Sequence, residues 1–273
     1  MLLLKSFHAL QGVERGYREE GVYYTSVELP FRKYEESHRR AAFFHDLLER
    51  VRLAPGVDRA SISLGLPLDP RAEFFVTRSP YSVEGKPEPP SGLAPEAALH
   101  VVGPDLFETL GVSLLSGRGF DSRDIAGGPG VVVVNQSFAE SAWPGEDPIG
   151  KHLKHDLTLL PDEENGARRV VGVVSDFRYY ALEREPEAQM YVPHAQSPWP
   201  QMHLLIRASS DPAALDTAVR DALREMDPEV PLLPLRELVE VAKGVMAPAR
   251  ARAGLLASFA AAASFSPPSV SME

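Results

Sequence analysis

The chain has 273 residues, 44% of them hydrophobic, enough for a sizeable core in one large domain or two lobes. Its 38 acidic and 28 basic residues leave a formal charge of -10 with no Lys/Arg-rich run, which argues against nucleic-acid binding. The absence of cysteine excludes disulfides, thiolate catalysis and Cys-ligated metals, and 25 prolines favour short strands and turns over long helices.

The opening, Met1-Leu2-Leu3-Leu4-Lys5-Ser6-Phe7, reads as the stub of an apolar segment, too short for the apolar region of a signal peptide. Val22 to Leu29 alternates as a strand ending at Pro30. From His38 to Leu53 the set Ala41, Phe44, Leu47, Leu48 and Val51 has helical spacing, and Pro55-Gly56 stops it. Val57 to Leu66 is a strand again, completing a β-α-β unit. Pro67 to Pro95 is rich in Pro, Gly, Ser and charge, with one strand expected at Phe74 to Thr77. Leu99 to Gly103 reads as a strand, Pro104-Asp105 as a helix start running through Leu110, and Arg118 to Pro129 as a loop.

Val131 to Arg178 carries the densest local signals. Val131 to Val134, four β-branched residues, predict a buried strand. Asn135 suits the cap of a following helix, on which Phe138, Ala139, Ala142 and Trp143 share a face. Trp143-Pro144-Gly145-Glu146 fits a type II turn and Asp147-Pro148-Ile149-Gly150 a type I turn. Leu157 to Ala167 reads as a variable loop, Val170 to Asp176 as a strand containing Gly172, followed by Phe177-Arg178. Met202 to Ala208 is a strand. Asp211-Pro212 starts a helix with Leu215, Val219, Leu223 and Met226 on one side, ended by Asp227-Pro228. Val230 to Leu235 reads as a short strand. A second apolar stub runs from Gly254 to Ala263, before a polar tail. Two β-α-β units at the two ends fit one ferredoxin-like layer of helices on a sheet.

Candidate chemistry is sparse. His152, His155 and Asp156 lie in a strand-like pattern, where His152 and His155 point to opposite faces, so a converging metal site is not expected. Gly127-Gly128-Pro129-Gly130 precedes a strand, whereas a phosphate loop follows a strand and opens a helix. Asp176 sits at a strand end without an evident partner acid or base, the usual place of a turn or ion-pair residue. Tyr179, Tyr180, Tyr191 and Trp199, among Pro193, Pro198 and Pro200, read better as core packing than as a partner-binding edge. No catalytic residue, cofactor or metal is expected.

The segments LLLKSF, GVYYTSVELP, RRAAFFHDLLERVRLAPGV, GVSLLSGRGF, VVVVNQSFAESAWPGEDPIGK, RRVVGVVSDFR, MYVPHAQ, LLIRASSDPAAL and REMDPEVPLLPLREL, in that order, resemble the extracytoplasmic core domain of MacB/FtsX-type ABC transporter permeases. The likeness is strongest to the large permeases typical of acidobacteria. The specific blocks place Asn135, Trp143, Pro144, Gly145, Asp147, Pro148, Gly150, Gly172, Asp176 and Arg178 as a structural motif.

The resemblance implies an α+β fold in parts. Residues 1–21 would be a stub after a first membrane helix, 22–69 and 199–247 a ferredoxin-like, porter-type lobe, and 70–198 an inserted, β-rich sabre-like lobe. Residues 248–273 would begin a truncated second membrane helix with an aberrant tail, as in a fragment or a frameshifted reading frame. It further implies a non-catalytic, membrane-anchored periplasmic domain that transmits conformational change for export or envelope work. A separate ABC ATPase subunit would be the partner, with a permease dimer and an envelope adaptor as further partners, and no nucleic acid. The competing readings are a soluble envelope binding module and a hydrolase with a dispersed site.

Overall fold

The computed structural model describes residues 14–69, 77–87, 90, 93–155, 166–181, 184–231 and 233–244. The fold is mixed α+β with strands dominating. Eleven strands form one sheet, in the order β11-β1-β10-β2-β4-β3-β7-β8-β6-β9, with β5 paired to β8. The strands are β1 (Val22–Glu28), β2 (Val57–Ser63), β3 (Thr77–Val83), β4 (Glu96–Val102), β5 (Leu114–Gly117) and β6 (Val131–Asn135). They continue with β7 (His152–His155), β8 (Arg168–Val174), β9 (Gln189–Pro193), β10 (Gln201–Ala208) and β11 (Arg236–Glu237). Among the described residues the helices are α1 (Ser37–Arg52), α2 (Leu106–Leu110), α3 (Gln136–Ala142) and α4 (Pro212–Met226), and residues 238–244 are helical as well.

The first part of the sheet, β11-β1-β10-β2, is antiparallel throughout. Alternation along β10 sends Met202, Leu204 and Ile206 to the face covered by α1 and α4, and Leu205 to the face covered by α2. Because helices cover both faces, β10 is buried along nearly its whole length. α1 buries Phe44, Leu47, Leu48 and Val51 as predicted and Phe43 besides, whereas Ala41, expected on the same face, is half-buried. α4 buries Leu215, Val219 and Leu223, and the Asp211 carboxylate accepts from the Ala214 N–H at 3.2 Å, so Asp-Pro marks the helix start as the sequence indicates.

The second part closes on itself. β4, β3, β7, β8, β6 and β9 follow one another, and β9 returns to pair with β4 in parallel, His100 opposite Tyr191. β6 runs parallel to β8 on one side and antiparallel to β9 on the other. Val131 to Val134 are therefore buried on both faces, which explains an unbroken β-branched run instead of an alternating one. The two parts join where Ser63 of β2 pairs with Val102 of β4. Each of the two hydrophobic clusters draws side chains from both parts: Phe44 and Val134 share one, Leu205 and Val133 the other.

Several expectations need correction. Among the described residues of the expected strand Val230 to Leu235 none is in a strand; pairing to β1 begins at Arg236. Pro231 and Pro234 lack the N–H that a ladder needs. The second turn lies one residue later than Asp147 to Gly150: the Lys151 N–H donates to Pro148 O at 3.2 Å, with Gly150 at φ +83° in its third position. The Asp147 side chain instead accepts from the Ile149 N–H at 3.0 Å. β2 stops at Ser63, short of Leu66. Of Phe74 to Thr77 only Thr77 is described, and it opens β3, a strand longer than the sequence indicates. β5 is a strand the sequence did not suggest. The terminal stubs, Asp156 and most of Leu157 to Ala167 lie outside the described residues.

Candidate functional site

The best-organised polar group of the molecule sits where β6 and β8 end side by side, with Asn135 registered opposite Val174. Asn135 has no exposed surface and uses its whole amide. Oδ1 accepts from the Phe138 N–H at 3.0 Å, capping α3, and from the Gln189 N–H at 2.8 Å. Nδ2 donates to Asp176 Oδ1 at 2.6 Å and to Glu187 O at 2.8 Å. The Asp176 carboxylate also accepts from the Ser137 N–H at 3.0 Å and the Ser137 hydroxyl at 2.6 Å. One asparagine thus joins the end of β6, the start of α3, the start of β9 and the residues after β8. A carboxylate on the first turn of a helix is electrostatically favourable as well.

From this node α3 leads to the turn ribbon. Phe138 and Trp143 are both buried, with ring centroids 5.9 Å apart. The Glu146 N–H donates to Trp143 O at 3.1 Å and Gly145 adopts φ +76°, so the Trp143-Pro144-Gly145-Glu146 turn has the type II form. Lys86 donates to Ala142 O at the α3 C-terminus, and Lys151 pairs with Glu146 across the ribbon. The Gly150 N–H donates to Val170 O at 2.8 Å, tying the ribbon to β8.

Gly172 lies in β8 beneath the backbone after β5: a Cβ built on it would stand 2.1 Å from Arg118 O. Only a residue without a side chain lets the Arg118 N–H donate to Val171 O at 2.8 Å there. Arg118 in turn makes a two-pronged pair with the buried Asp124, at 2.7 and 2.8 Å. The Arg178 N–H donates to Arg15 O at 2.8 Å, and its guanidinium donates to Arg184 O and to the Glu185 carboxylate.

The structure therefore brings Asn135 and Asp176 to one end of α3 and Trp143, Pro144, Gly145, Asp147, Pro148 and Gly150 to the other, with Gly172 on the strand beneath, while Arg178 bonds to Arg15, Arg184 and Glu185. Sequence reasoning missed Ser137, Gln189 and the Glu187 carbonyl. Only the pairing of β6 with β8 and β9 reveals them, and that pairing is non-local.

Among the remaining candidates, His152 and His155 lie on β7 with His155 buried and His152 half-buried, and no group of three metal-ligating side chains converges among the described residues. The glycine loop 127–130 leads into β6. Tyr179 and Tyr191 are buried in the core against His100, Tyr191 stacked on its ring and Tyr179 edge-on to it. His100 is also buried, neither ring nitrogen has a hydrogen-bond partner among the described residues, and burial lowers its pKa to about 3. Burial likewise lowers His194 to about 4, although its contact with Trp199 O opposes the shift.

A cleft of about 630 Å³ opens between α1, the loop around Phe120 to Ala126, and Pro193 to Ala195. Phe44, Leu48, Ile62 and Phe120 give it an apolar floor. The charged groups at its margin are already engaged, Arg52 with Asp105 at 2.8 Å and Asp124 with Arg118.

These features define an α+β domain in which the organised polar groups brace backbone segments against one another. The chain belongs to the MacB-like periplasmic core domain family, whose model matches residues 47–226. This is the extracytoplasmic domain family of ABC transporter permeases.

A segment of 67 residues is 34% identical to the macrolide export ATP-binding/permease protein MacB of Neisseria gonorrhoeae, and the same holds for that of Neisseria meningitidis; the match covers 23% of this chain and about 10% of each relative. Among solved structures, the periplasmic region of MacB from Actinobacillus actinomycetemcomitans superposes with a TM-score of 0.54 at 14% identity, covering 88% of this chain and 98% of that one. The extracellular domain of the noncanonic ABC-type transporter YknZ from Gram-positive bacteria gives 0.48 at 12% identity, covering 77% and 99%. At 14% identity the likeness to the Actinobacillus MacB region is one of fold. Among the described residues no helix is long and apolar enough to cross a membrane.

Proposed function

We propose that this chain is a non-catalytic periplasmic domain of an ABC transporter permease, anchored in the membrane through flanking helices, that transmits conformational change for export or envelope work. We read β11-β1-β10-β2 with α1 and α4, residues 22–69 and 199–247, as its ferredoxin-like, porter-type lobe. The strand ring within 70–198 is the inserted, sabre-like lobe.

The observation that carries the reading is the pairing of Tyr23 with Glu237. β1 and β11 are antiparallel neighbours, so the chain entering β1 and the chain leaving β11 do so at the same end of the sheet. That is the layout required of a domain held by two membrane helices side by side. A dimer of permeases, a separate ATPase subunit and an envelope adaptor are the partners this role calls for. The braced turns from Trp143 to Gly150 suit a body that moves as a unit instead of bending.

The test is transport by the intact permease with its ATPase. Removal of residues 22–247 should abolish substrate export while nucleotide hydrolysis persists. Gly145→Val, which forces a β-branched side chain into φ +76°, should impair export. Export that survives both changes would overturn the proposal.

A further inference from the structure

We infer that residues 15–21 form a strap that couples the chain entering β1 to the Asn135–Asp176 node, so that load on that segment reaches the strand ring directly and not only through the sheet. The inference rests on the transmission reading for its purpose, but its geometry stands alone.

The strap is held on both flanks. On one side the Arg18 N–H donates to Leu110 O at 2.7 Å, at the C-terminal end of α2. The Arg207 guanidinium forks onto three carbonyls, Thr109 at 2.8 Å, Glu20 at 3.0 Å and Arg18 at 3.0 Å. One β10 side chain thus clamps the strap to α2 and to the sheet. On the other side Arg15 O accepts the Arg178 N–H at 2.8 Å, and the buried Tyr17 ring meets Phe177 edge-on at 6.0 Å. Between these contacts Gly16 adopts φ +79° and lies directly on the backbone of Asp176 and Phe177. A Cβ built there would stand 2.4 Å from Asp176 O and 2.8 Å from Phe177 Cα.

The backbone that Gly16 touches belongs to the residue whose side chain holds Asn135 and Ser137. Displacing the strap must therefore move Asp176, and moving Asp176 loosens the first turn of α3. The links are hydrogen bonds and van der Waals contacts, with Tyr17, Phe177 and Asn135 buried, Asp176 and Ser137 half-buried and Gly16 at the surface, and closely packed groups transmit displacement instead of dissipating it.

Hydrogen exchange on the 273-residue chain tests the coupling. Gly16→Val should lower protection by about tenfold or more at the amides of Arg178 and Ser137, while the β1–β10 amides stay as protected as in the parent. Tyr17→Ala, which removes the ring contact without a backbone clash, should give the same pattern more weakly and serves if Gly16→Val does not fold. Loss of protection confined to Arg178, with Ser137 unchanged in both variants, would overturn the inference. Where exchange changes as expected but the intact permease carrying Tyr17→Ala exports normally, the strap stands and the transmission reading falls.

Discussion

Asn135 and Asp176 join the ends of two parallel strands through one hydrogen bond, Asn135 Nδ2 donating to Asp176 Oδ1 at 2.6 Å. Both residues make their other contacts to α3 and to the residues leading into β9, so the pair fixes four segments at one point. Asn135→Ala removes a helix cap and strands the buried Gln189 N–H and Glu187 carbonyl. The expected loss is about 3 kcal/mol, from a cap of about 1 and unsatisfied buried groups of about 1 each. Urea denaturation should show a lower midpoint at an unchanged slope. Asn135→Asp should be worse still, because it replaces the donor to Asp176 with a second carboxylate. Equal stability of the aspartate and alanine variants would show that the bond contributes little.

This node also marks how far the sequence could be read. Val131 to Val134, the Asn135 cap and the α3 face are local signals, each carried by a few consecutive residues, and each appears where expected. Asp176 stood alone at a strand end, since nothing within reach of it in sequence explains it. Its partners lie 39 and 41 residues away, brought in by β6–β8 pairing. β5 escaped for a related reason. Leu114 to Gly117 is exposed throughout and shows no buried alternation, so its strand character comes from pairing with β8 alone.

Gly172 and Gly145 should respond differently to alanine. At Gly172 the new methyl would meet Arg118 O at 2.1 Å, in a residue whose own N–H is bonded to Val171 O. The substitution must push β5 from β8 and should cost about 2–3 kcal/mol, the range for overpacking a rigid site. At Gly145 no atom lies within 4 Å of the built Cβ, and only the positive φ opposes the change. That cost is about 1 kcal/mol. Thermal unfolding of the two variants should rank them in that order, and the reverse order would contradict the close approach of the two strands.

His100 should make the fold acid-sensitive. Its ring stacks on Tyr191 with centroids 4.9 Å apart and meets Tyr179 at 4.3 Å, and burial alone lowers its pKa to about 3. The unfolded chain binds the proton near pH 6.5, so between about 6.5 and 3 it holds more protons than the folded one, and stability falls as pH falls through that window. At pH 5 the loss is about 2 kcal/mol relative to neutral pH. His100→Phe keeps a ring in the stack and removes the titration, so it should flatten stability between pH 7 and 5. His194, lowered to about 4, leaves a residual slope of the same sign. Identical pH profiles for parent and variant would show that His100 is not the group responsible.

The β1–β11 edge admits the most direct test of the layout, because the chain contains no cysteine to interfere. Tyr23 and Glu237 are registered partners in an antiparallel pair, where facing Cα atoms stand about 4.5–5.5 Å apart, within disulfide range. The double variant Tyr23→Cys, Glu237→Cys should oxidise to a single intramolecular bridge, seen as faster migration on a non-reducing gel. The bridge spans almost the whole described chain, so it should raise the unfolding free energy by up to about 4 kcal/mol over the reduced form. A domain that moves as one body should still support export with the bridge closed, since its two exits already stand together. Export lost on oxidation and restored by reductant would mean that the exits separate during the cycle. In that event the two flanking segments work by parting at Tyr23 and Glu237, and the domain opens instead of pivoting as a unit.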